Sequence, residues 1–247
     1  MGAFVIVLRE AFEASLVIGL ILAFLTKTGR RNEHESTVWQ GVAAAIAVSV
    51  AMGALLFATV GELEGTAEAL YEGFAMLLAC VVLTWMVFWM RRQAATIGGE
   101  LRAKVGAAVG TGGGLALASV AFIAVAREGL ETALFLFVSV GDSGLVQTIA
   151  GGTLGLAAAL VLGVLFYRGS VRLDLRRFFL VTGLLVIAFA AYLLYGGLHE
   201  LGEAGGGEAL ELAAPLAALA FAAGFGVLYA RGTRARPRAE EPVTQTA

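Results

Sequence analysis

Three ionisable residues lie close together in the middle of a long apolar run of this chain. They are Arg127, Glu128 and Glu131, in the sequence Arg-Glu-Gly-Leu-Glu, and the residues around them from 115 to 140 are almost all apolar. At about 100° per residue of an α-helix, Glu128 and Glu131 lie about 60° apart and Arg127 and Glu131 about 40° apart. All three therefore share one helix face and can serve one site.

A second copy of the pattern stands near the start of the chain as Arg9, Glu10 and Glu13, within an apolar run from 3 to 25. The two copies are 118 residues apart. In the centre of a membrane each Arg or acid costs roughly 2.5 to 3.5 kcal/mol, whereas each Leu, Ile, Phe or Val returns only about 0.3 to 0.6 kcal/mol. A chain that carries this cost twice must recover it through pairing between helices, a water-filled cavity or a bound ion.

Two interpretations of these charges compete, a structural Arg/Glu ladder that locks two helices together and a cation site. The two copies contain four carboxylates and two guanidiniums, so complete pairing leaves two buried negative charges, which favours the cation site. Four carboxylates form an all-oxygen ligand set, which suits ferric or ferrous iron, manganese, magnesium or calcium better than copper(I) or zinc. Because neither copy contains a histidine, an oxygen-activating di-iron enzyme is not expected.

The composition places the chain in a membrane. With 247 residues, 59% of them hydrophobic, and a mean hydropathy of +0.86, it is long enough for six or seven spanning helices and too apolar for a soluble domain. Its single cysteine, Cys80, lies within an apolar run, and its two histidines are His34 and His199. A disulfide framework, a thiolate metal site and a haem with paired axial ligands are therefore not expected.

Seven apolar segments predict an all-α integral membrane protein with seven transmembrane helices. They cover residues 3–25, 38–60, 69–90, 115–140, 146–167, 178–197 and 213–229. Between these segments, lysine and arginine occur only in alternate loops, so by the positive-inside rule the N-terminus lies outside and the C-terminus in the cytoplasm. The three tryptophans, Trp39, Trp85 and Trp89, fall at the predicted cytoplasmic interface. The first segment lacks a basic start and a cleavage site, so we expect it to be retained as a helix.

Because the two motifs lie in the first and fourth segments, the sequence predicts two three-helix units of opposite orientation, the inverted-repeat plan of secondary transporters, followed by a seventh helix. The expected division is 1–92 for the first repeat, 93–114 for a cytoplasmic linker or surface helix, 115–197 for the second repeat, 198–212 for an acidic extracytoplasmic loop, 213–230 for the seventh helix and 231–247 for a disordered cytoplasmic tail.

The predicted outer loops are acidic and contain no lysine or arginine. Candidate members of an outer vestibule are Glu62, Glu64, His199, Glu200 and Glu203. These charges either keep the loops solvated or form an electrostatic funnel that concentrates cations above the bundle. His199 fits a transient ligand as well as a polar helix end.

At the two motifs the chain resembles the high-affinity iron permease family, which comprises fungal ferric permeases and bacterial ferrous or ferric iron uptake permeases with Arg-Glu-x-x-Glu in the first and fourth membrane helices. The resemblance extends to the tryptophan-rich stretch 84–92 and to residues 198–205. It implies that Glu10, Glu13, Glu128 and Glu131 handle iron, as Fe²⁺ or Fe³⁺, and that Glu200 and Glu203 help to receive it. It also implies an extracytoplasmic partner, a multicopper oxidase in fungi or a cupredoxin-like or peroxidase-like protein in bacteria.

The main alternative is a proton-coupled carrier of another divalent cation such as manganese, with the same glutamates. A retinal photoreceptor is not expected, because both lysines, Lys27 and Lys104, lie in predicted cytoplasmic loops. We expect Arg9 and Arg127 to pair with neighbouring carboxylates in the cation-free protein and to release them when a cation arrives. An Arg127→Gln variant should then insert into the membrane but transport poorly.

Overall fold

The computed structural model describes residues 2–59, 66–93, 103, 105–107, 114–168 and 174–234. These ranges contain no strand, and most of their residues belong to long α-helices. The helices are α1 (Gly2–Lys27), α2 (Arg31–Thr59), α3 (Thr66–Gln93), α4 (Gly114–Ser143), α5 (Leu145–Tyr167), α6 (Leu175–Leu201) and α7 (Glu208–Arg234), with a π-helical turn at Gly202–Gly206. The candidate residues Glu62 and Glu64, like most of the predicted linker and tail, lie outside the described residues.

Several helices extend beyond the apolar segments because polar residues stabilise their ends. At the start of α2, Arg31 donates hydrogen bonds of 2.9 Å from Nε and from Nη2 to the two carboxylate oxygens of Glu35, one turn later. At the start of α6, the Asp174 side chain caps the helix by accepting a 3.2 Å hydrogen bond from the backbone N–H of Arg177. A hydropathy profile does not detect such hydrogen bonds, so the predicted apolar segments are shorter than these helices.

The predicted acidic loop 198–212 is largely helical. Helix α6 continues to Leu201, the π-helical turn follows, and α7 begins at Glu208 after a single residue, Gly207. Gly205 and Gly207 have φ values of 122° and 85°, a left-handed region that glycine adopts without the penalty of a Cβ atom. The chain therefore reverses between α6 and α7 within a few residues.

Two pairs of helices run parallel to each other in close contact. Along α1 and α5, Gly155 approaches the backbone of Phe4, and a methyl group on Gly163 would lie 2.7 Å from Ser15 Oγ, so contacts advance in the same direction on both helices. Along α2 and α4, Gly41 meets the backbone of Ala118, and Gly53 lies near Ala133. Glycine permits these close approaches, which are typical of helix packing in membranes.

The remaining contacts place α1 and α4 against each other in the centre of the bundle, α3 along α6, and α7 on the outside of α6. One apolar core is formed mainly by α3 and α6 and includes Ile6, Phe135 and Tyr229. A second core lies among α1, α2 and α4. The motif-bearing helices α1 and α4 contribute to both cores, so the motifs lie between them.

The outer surface of the bundle is apolar. Large side chains such as Val50, Leu78, Val146 and Leu216 are 66 to 80% exposed, which a water-soluble monomer does not tolerate over a whole surface. Among the described residues, five helices are long and apolar enough to cross a membrane, namely α2, α3, α5, α6 and α7. Helices α1 and α4 differ from these five because each carries three motif charges near its centre. The chain is a multi-pass membrane protein.

Candidate metal centre

Three carboxylates from the two central helices converge on one point. Glu10 of α1 and Glu128 and Glu131 of α4 each place a carboxylate oxygen within 4.8 Å of the other two. Glu10 and Glu128 are buried, at 1% and 8% exposure, and Glu131 is partly buried. The helical spacing of residues 128 and 131 puts both on the face of α4 that contacts α1, as the sequence predicts.

The fourth motif glutamate, Glu13, is not part of this group of three. Its Oε1 atom accepts a 3.1 Å hydrogen bond from Arg9 Nε, and the two side chains form a partly buried ion pair between residues four apart on α1. Glu13 is still close enough to interact electrostatically with Glu10 and Glu128. The structure therefore separates the four predicted ligands into a cluster of three and a neighbour that lies outside it.

Arg127 makes the corresponding ion pair in the second motif. Its Nε atom lies 3.1 Å from Glu131 Oε1 and 3.9 Å from Glu128 Oε1. The guanidinium also stacks on Trp89 of α3, with Cζ 4.0 Å from the ring centroid. Arg9 contacts the next residue of α3, since its Nη2 atom lies 3.0 Å from Met90 Sδ. From the sequence Trp89 is expected at the cytoplasmic interface, and neither α3 residue is among the predicted site residues.

Most oxygens of the cluster have no hydrogen-bond donor. Both carboxylate oxygens of Glu10 and the Oε2 atoms of Glu128 and Glu131 are buried and find no partner among the described residues. Buried polar atoms are normally hydrogen-bonded, so a set of unpartnered acceptors that face one another calls for an explanation. Oxygens at this spacing are suited to bind a hard cation, which would also offset the mutual repulsion of the carboxylates.

The spacing of the site depends on close packing behind it. Gly129, between the two glutamates of the second motif, lies directly against Ser49 of α2, and a methyl group there would lie 2.8 Å from Ser49 Cβ and closer still to Oγ. The Ser49 hydroxyl donates a 2.9 Å hydrogen bond to the carbonyl of Ala45 in its own helix. Helix α2 thus supports the motif segment of α4 from the side opposite to the site.

A second group of polar residues lies at the junction of α6 and α7. His199 Nε2 is 3.4 Å from Glu203 Oε1, and its ring stacks on Tyr195 at 5.9 Å between centroids. An open cavity of about 460 Å³ adjoins them and is lined by Tyr195, His199, Glu208, Glu211, Leu212 and Pro215. Of the predicted vestibule residues, His199 and Glu203 are therefore together, Glu200 does not line the cavity, and Tyr195 joins the group without having been predicted.

The chain matches the iron permease FTR1 family over residues 1–214. Three similar proteins are described as ferrous iron permease EfeU. Those of Escherichia coli O6:H1 (strain CFT073) and Escherichia coli O157:H7 are 40% and 39% identical over 204 residues, which is 82% of this chain and 74% of each relative. That of Yersinia pestis is 36% identical over 204 residues, 82% of this chain and 72% of the relative. No solved structure matches the chain at a comparable significance. The extent of these matches and the two motifs that meet in the bundle establish that this chain belongs to the iron permease FTR1 family.

Proposed function

We propose that this iron permease carries iron into the cell through the cluster formed by Glu10, Glu128 and Glu131. The observation that supports the proposal is the convergence of three mostly buried carboxylates whose free oxygens have no donor among the described residues. Three negative charges beside one guanidinium, that of Arg127, leave a net charge of −2, which a divalent cation would balance. The relatives named as ferrous iron permeases make iron the first substrate to test.

In this proposal the long helices α1 to α7 of the described residues all cross the membrane. Their charged residues face the centre of the bundle, where they pair with one another instead of meeting lipid. The basic residues Lys27, Arg31 and Arg168 stand at the ends of helices that we place in the cytoplasm, whereas Glu203 and Glu208 stand at the opposite ends. This orientation puts the N-terminus outside and the C-terminus inside, with the protein in the cytoplasmic membrane.

The helices form an inverted repeat of α1–α3 and α4–α6, which correspond to residues 1–92 and 115–197, and α7 lies outside the repeat. The packing supports this proposal, because the parallel pairs α1 with α5 and α2 with α4 are equivalent when the two units are exchanged. Ser15 and Ala133 are equivalent positions in the two units, because they are 118 residues apart, as the two motifs are. Each of these two residues packs against a glycine, Gly163 and Gly53 respectively. An odd number of helices per unit gives the two units opposite orientations.

Iron would reach the site from the outer side, past the acidic groups near the junction of α6 and α7. Glu203, Glu208 and Glu211 can attract cations there through their summed negative charge, and neutral His199 can act as a weak ligand. The central cluster has no histidine or cysteine among the described residues, so we assign any change in the oxidation state of iron to an extracytoplasmic oxidase, cupredoxin-like or peroxidase-like partner. The permease itself then transports without catalysing a reaction.

The two arginines balance charge in the cation-free protein. Arg9 and Arg127 each hold one carboxylate oxygen of their own helix through Nε. Entry of a cation weakens the attraction between Arg127 and Glu131, because the cation and the guanidinium then compete for the same negative charge. An Arg127→Gln variant should insert normally and transport poorly, and normal transport by that variant would contradict this role.

Uptake of radiolabelled iron by the purified protein in liposomes tests the proposed site. Glu10→Gln, Glu128→Gln and Glu131→Gln should each abolish or strongly reduce uptake, while Glu33→Gln, an exposed change on α2, serves as the matched control. Equal uptake by the three variants and the wild type would refute the site. Excess manganese as competitor distinguishes an iron permease from a general carrier of divalent cations, because a general carrier loses iron uptake in its presence.

The role of the outer residues has its own kinetic signature. Neutralising Glu200 and Glu203 together should raise the apparent KM for iron more than it lowers the maximal rate, because a funnel acts on the local cation concentration. If both parameters are unchanged, these residues only keep the surface solvated and do not attract iron.

A further inference from the structure

The C-terminal end of α3 contacts the arginines of both motifs. Trp89 places its ring 4.0 Å from Arg127 Cζ, and Met90 places its sulfur 3.0 Å from Arg9 Nη2. Trp85, four residues earlier on α3, stacks on Trp89 with 5.9 Å between the ring centroids. Helix α3 thus reaches the site through residues that are not ligands for a hard cation.

The contact between Arg127 and Trp89 affects which carboxylate oxygens of the cluster are free to bind a cation. A guanidinium beside carboxylates tends to form two parallel hydrogen bonds with one of them. Arg127 instead uses Nε for Glu131 Oε1, and its Nη2 atom is buried without an acceptor in the part of the chain that the structure describes. Stacking on an indole stabilises the positive charge of a guanidinium through its flat face, but the ring supplies no acceptor for the in-plane N–H groups.

We propose that Trp89 is a positioning residue that sets the affinity of the site for iron by holding Arg127. The ring fixes the plane of the guanidinium so that Arg127 balances the charge of the cluster and occupies only one oxygen of Glu131. Glu128 Oε2 and Glu131 Oε2 remain available to the cation. This inference rests on the function proposed above, because it assumes that the three carboxylates bind iron.

Loss of the ring should let Arg127 rotate and form a second hydrogen bond to Glu131 or Glu128. The guanidinium then competes with the cation for the same oxygens, and iron binds more weakly. A cation–π contact at a partly buried site corresponds to a change of about 3- to 30-fold in a dissociation constant. If Trp89 only fills space, the dissociation constant of iron should not depend on the electronic character of its ring.

Fluorinated tryptophan separates these two roles because it keeps the shape of the ring while it weakens the negative charge on the ring face. The chain has three tryptophans, so a Trp39→Phe, Trp85→Phe background leaves Trp89 as the only site of incorporation. The Kd of Fe²⁺ for the purified protein is measured anaerobically by equilibrium dialysis with native, 5-fluoro and trifluoro tryptophan. We expect the Kd to rise with each step of fluorination, and a constant Kd would overturn the proposal.

A double-mutant cycle tests whether Trp89 acts through Arg127. Trp89→Leu should raise the Kd of Fe²⁺ in the wild-type background and leave it unchanged in the Arg127→Gln background. An equal increase in both backgrounds would overturn the proposal. Trp39→Leu, a change at a tryptophan that is 48% exposed on α2, is the matched control and should not change the Kd.

The outcomes distinguish this inference from the proposed function. Loss of Fe²⁺ binding in Glu128→Gln supports the carboxylate site regardless of Trp89, whereas a wild-type protein that binds no Fe²⁺ refutes both ideas. Binding that depends on Glu128 but not on fluorination refutes the role of Trp89 alone. If Trp89→Leu fails to fold, the fluorinated series still decides the question, because its members differ only in the substituents of the ring.

Discussion

Replacing Glu10 by glutamine should stabilise the cation-free protein and remove most of its affinity for iron. Glutamine keeps the shape of the side chain and removes its charge. Its amide can also donate a hydrogen bond to Glu128, whose Oε2 atom has no donor among the residues described. The two effects have opposite signs, so an unspecific loss of structure cannot produce both.

The size of the stabilisation follows from the geometry of the cluster. Glu10 lies within 4.8 Å of carboxylate oxygens of both Glu128 and Glu131. Two unit charges at that distance repel each other by about 3.5 kcal/mol at an effective dielectric constant of about 20. The attraction between Glu10 and Arg9 offsets part of this repulsion in the native protein. We therefore expect a net gain of about 1 to 3 kcal/mol from the substitution.

Thermal unfolding of the purified protein in detergent, with and without Fe²⁺ under anaerobic conditions, measures both effects. In a chain of this size a gain of about 1 to 3 kcal/mol raises Tm by roughly 2 to 10 °C. Wild-type protein should gain further stability from Fe²⁺ in proportion to the logarithm of its concentration, whereas Glu10→Gln should gain little. Glu33→Gln, exposed on α2, should behave as the wild type.

Two results would refute the reasoning. A lower Tm of Glu10→Gln without iron would mean that the Glu10 charge is needed for folding and that the cluster is a structural ladder. An equal stabilisation of variant and wild type by Fe²⁺ would mean that iron binds elsewhere.

Three further predictions follow from neighbouring contacts. Gly129→Ala should lower the free energy of unfolding by about 1 to 3 kcal/mol because its methyl group meets Ser49, and Ser49→Gly should restore part of the loss in a thermal unfolding assay. Glu13→Gln should weaken Fe²⁺ binding in equilibrium dialysis less than Glu131→Gln does, because Glu13 lies outside the group of three, and equal losses would place it among the ligands. Tyr229→Phe should cost about 1 kcal/mol by removing a 2.9 Å hydrogen bond to a backbone carbonyl of α6, and an unchanged Tm would contradict this estimate.

The local geometry of the motifs was predictable because it depends only on the helical period. The 40° separation of residues four apart predicts the ion pair of Arg127 with Glu131, and the structure has it at 3.1 Å. The apolar runs likewise predicted an all-helical fold with long apolar helices, which the described residues have, although the runs missed the polar ends of those helices. The first turn of α2 is an example, since Arg31 and Glu35 stabilise each other there.

The choice among the four glutamates could not be read from the sequence. Glu10 and Glu13 have the same spacing as Glu128 and Glu131, so local periodicity treats the two motifs alike. The rotation of α1 against α4 decides which carboxylates meet, and that rotation results from the packing of the whole bundle. Glu13 thus lies with Arg9 while Glu10 enters the cluster. The stacking of Trp89 on Arg127 is also a long-range contact that no local pattern predicts.

The number of residues in α3 is constrained by the contacts that its C-terminal end makes with both motif arginines. The composition of the helix does not show this constraint. Trp89 and Met90 are consecutive on a helix and point about 100° apart, so they reach Arg127 and Arg9 only if the end of α3 lies between α4 and α1. Inserting or deleting one residue upstream in α3 would rotate this end by about 100° and shift it by about 1.5 Å. Both arginines would then lose their neighbours in α3 at once, whereas most single substitutions on the lipid-facing side of the helix would disturb neither.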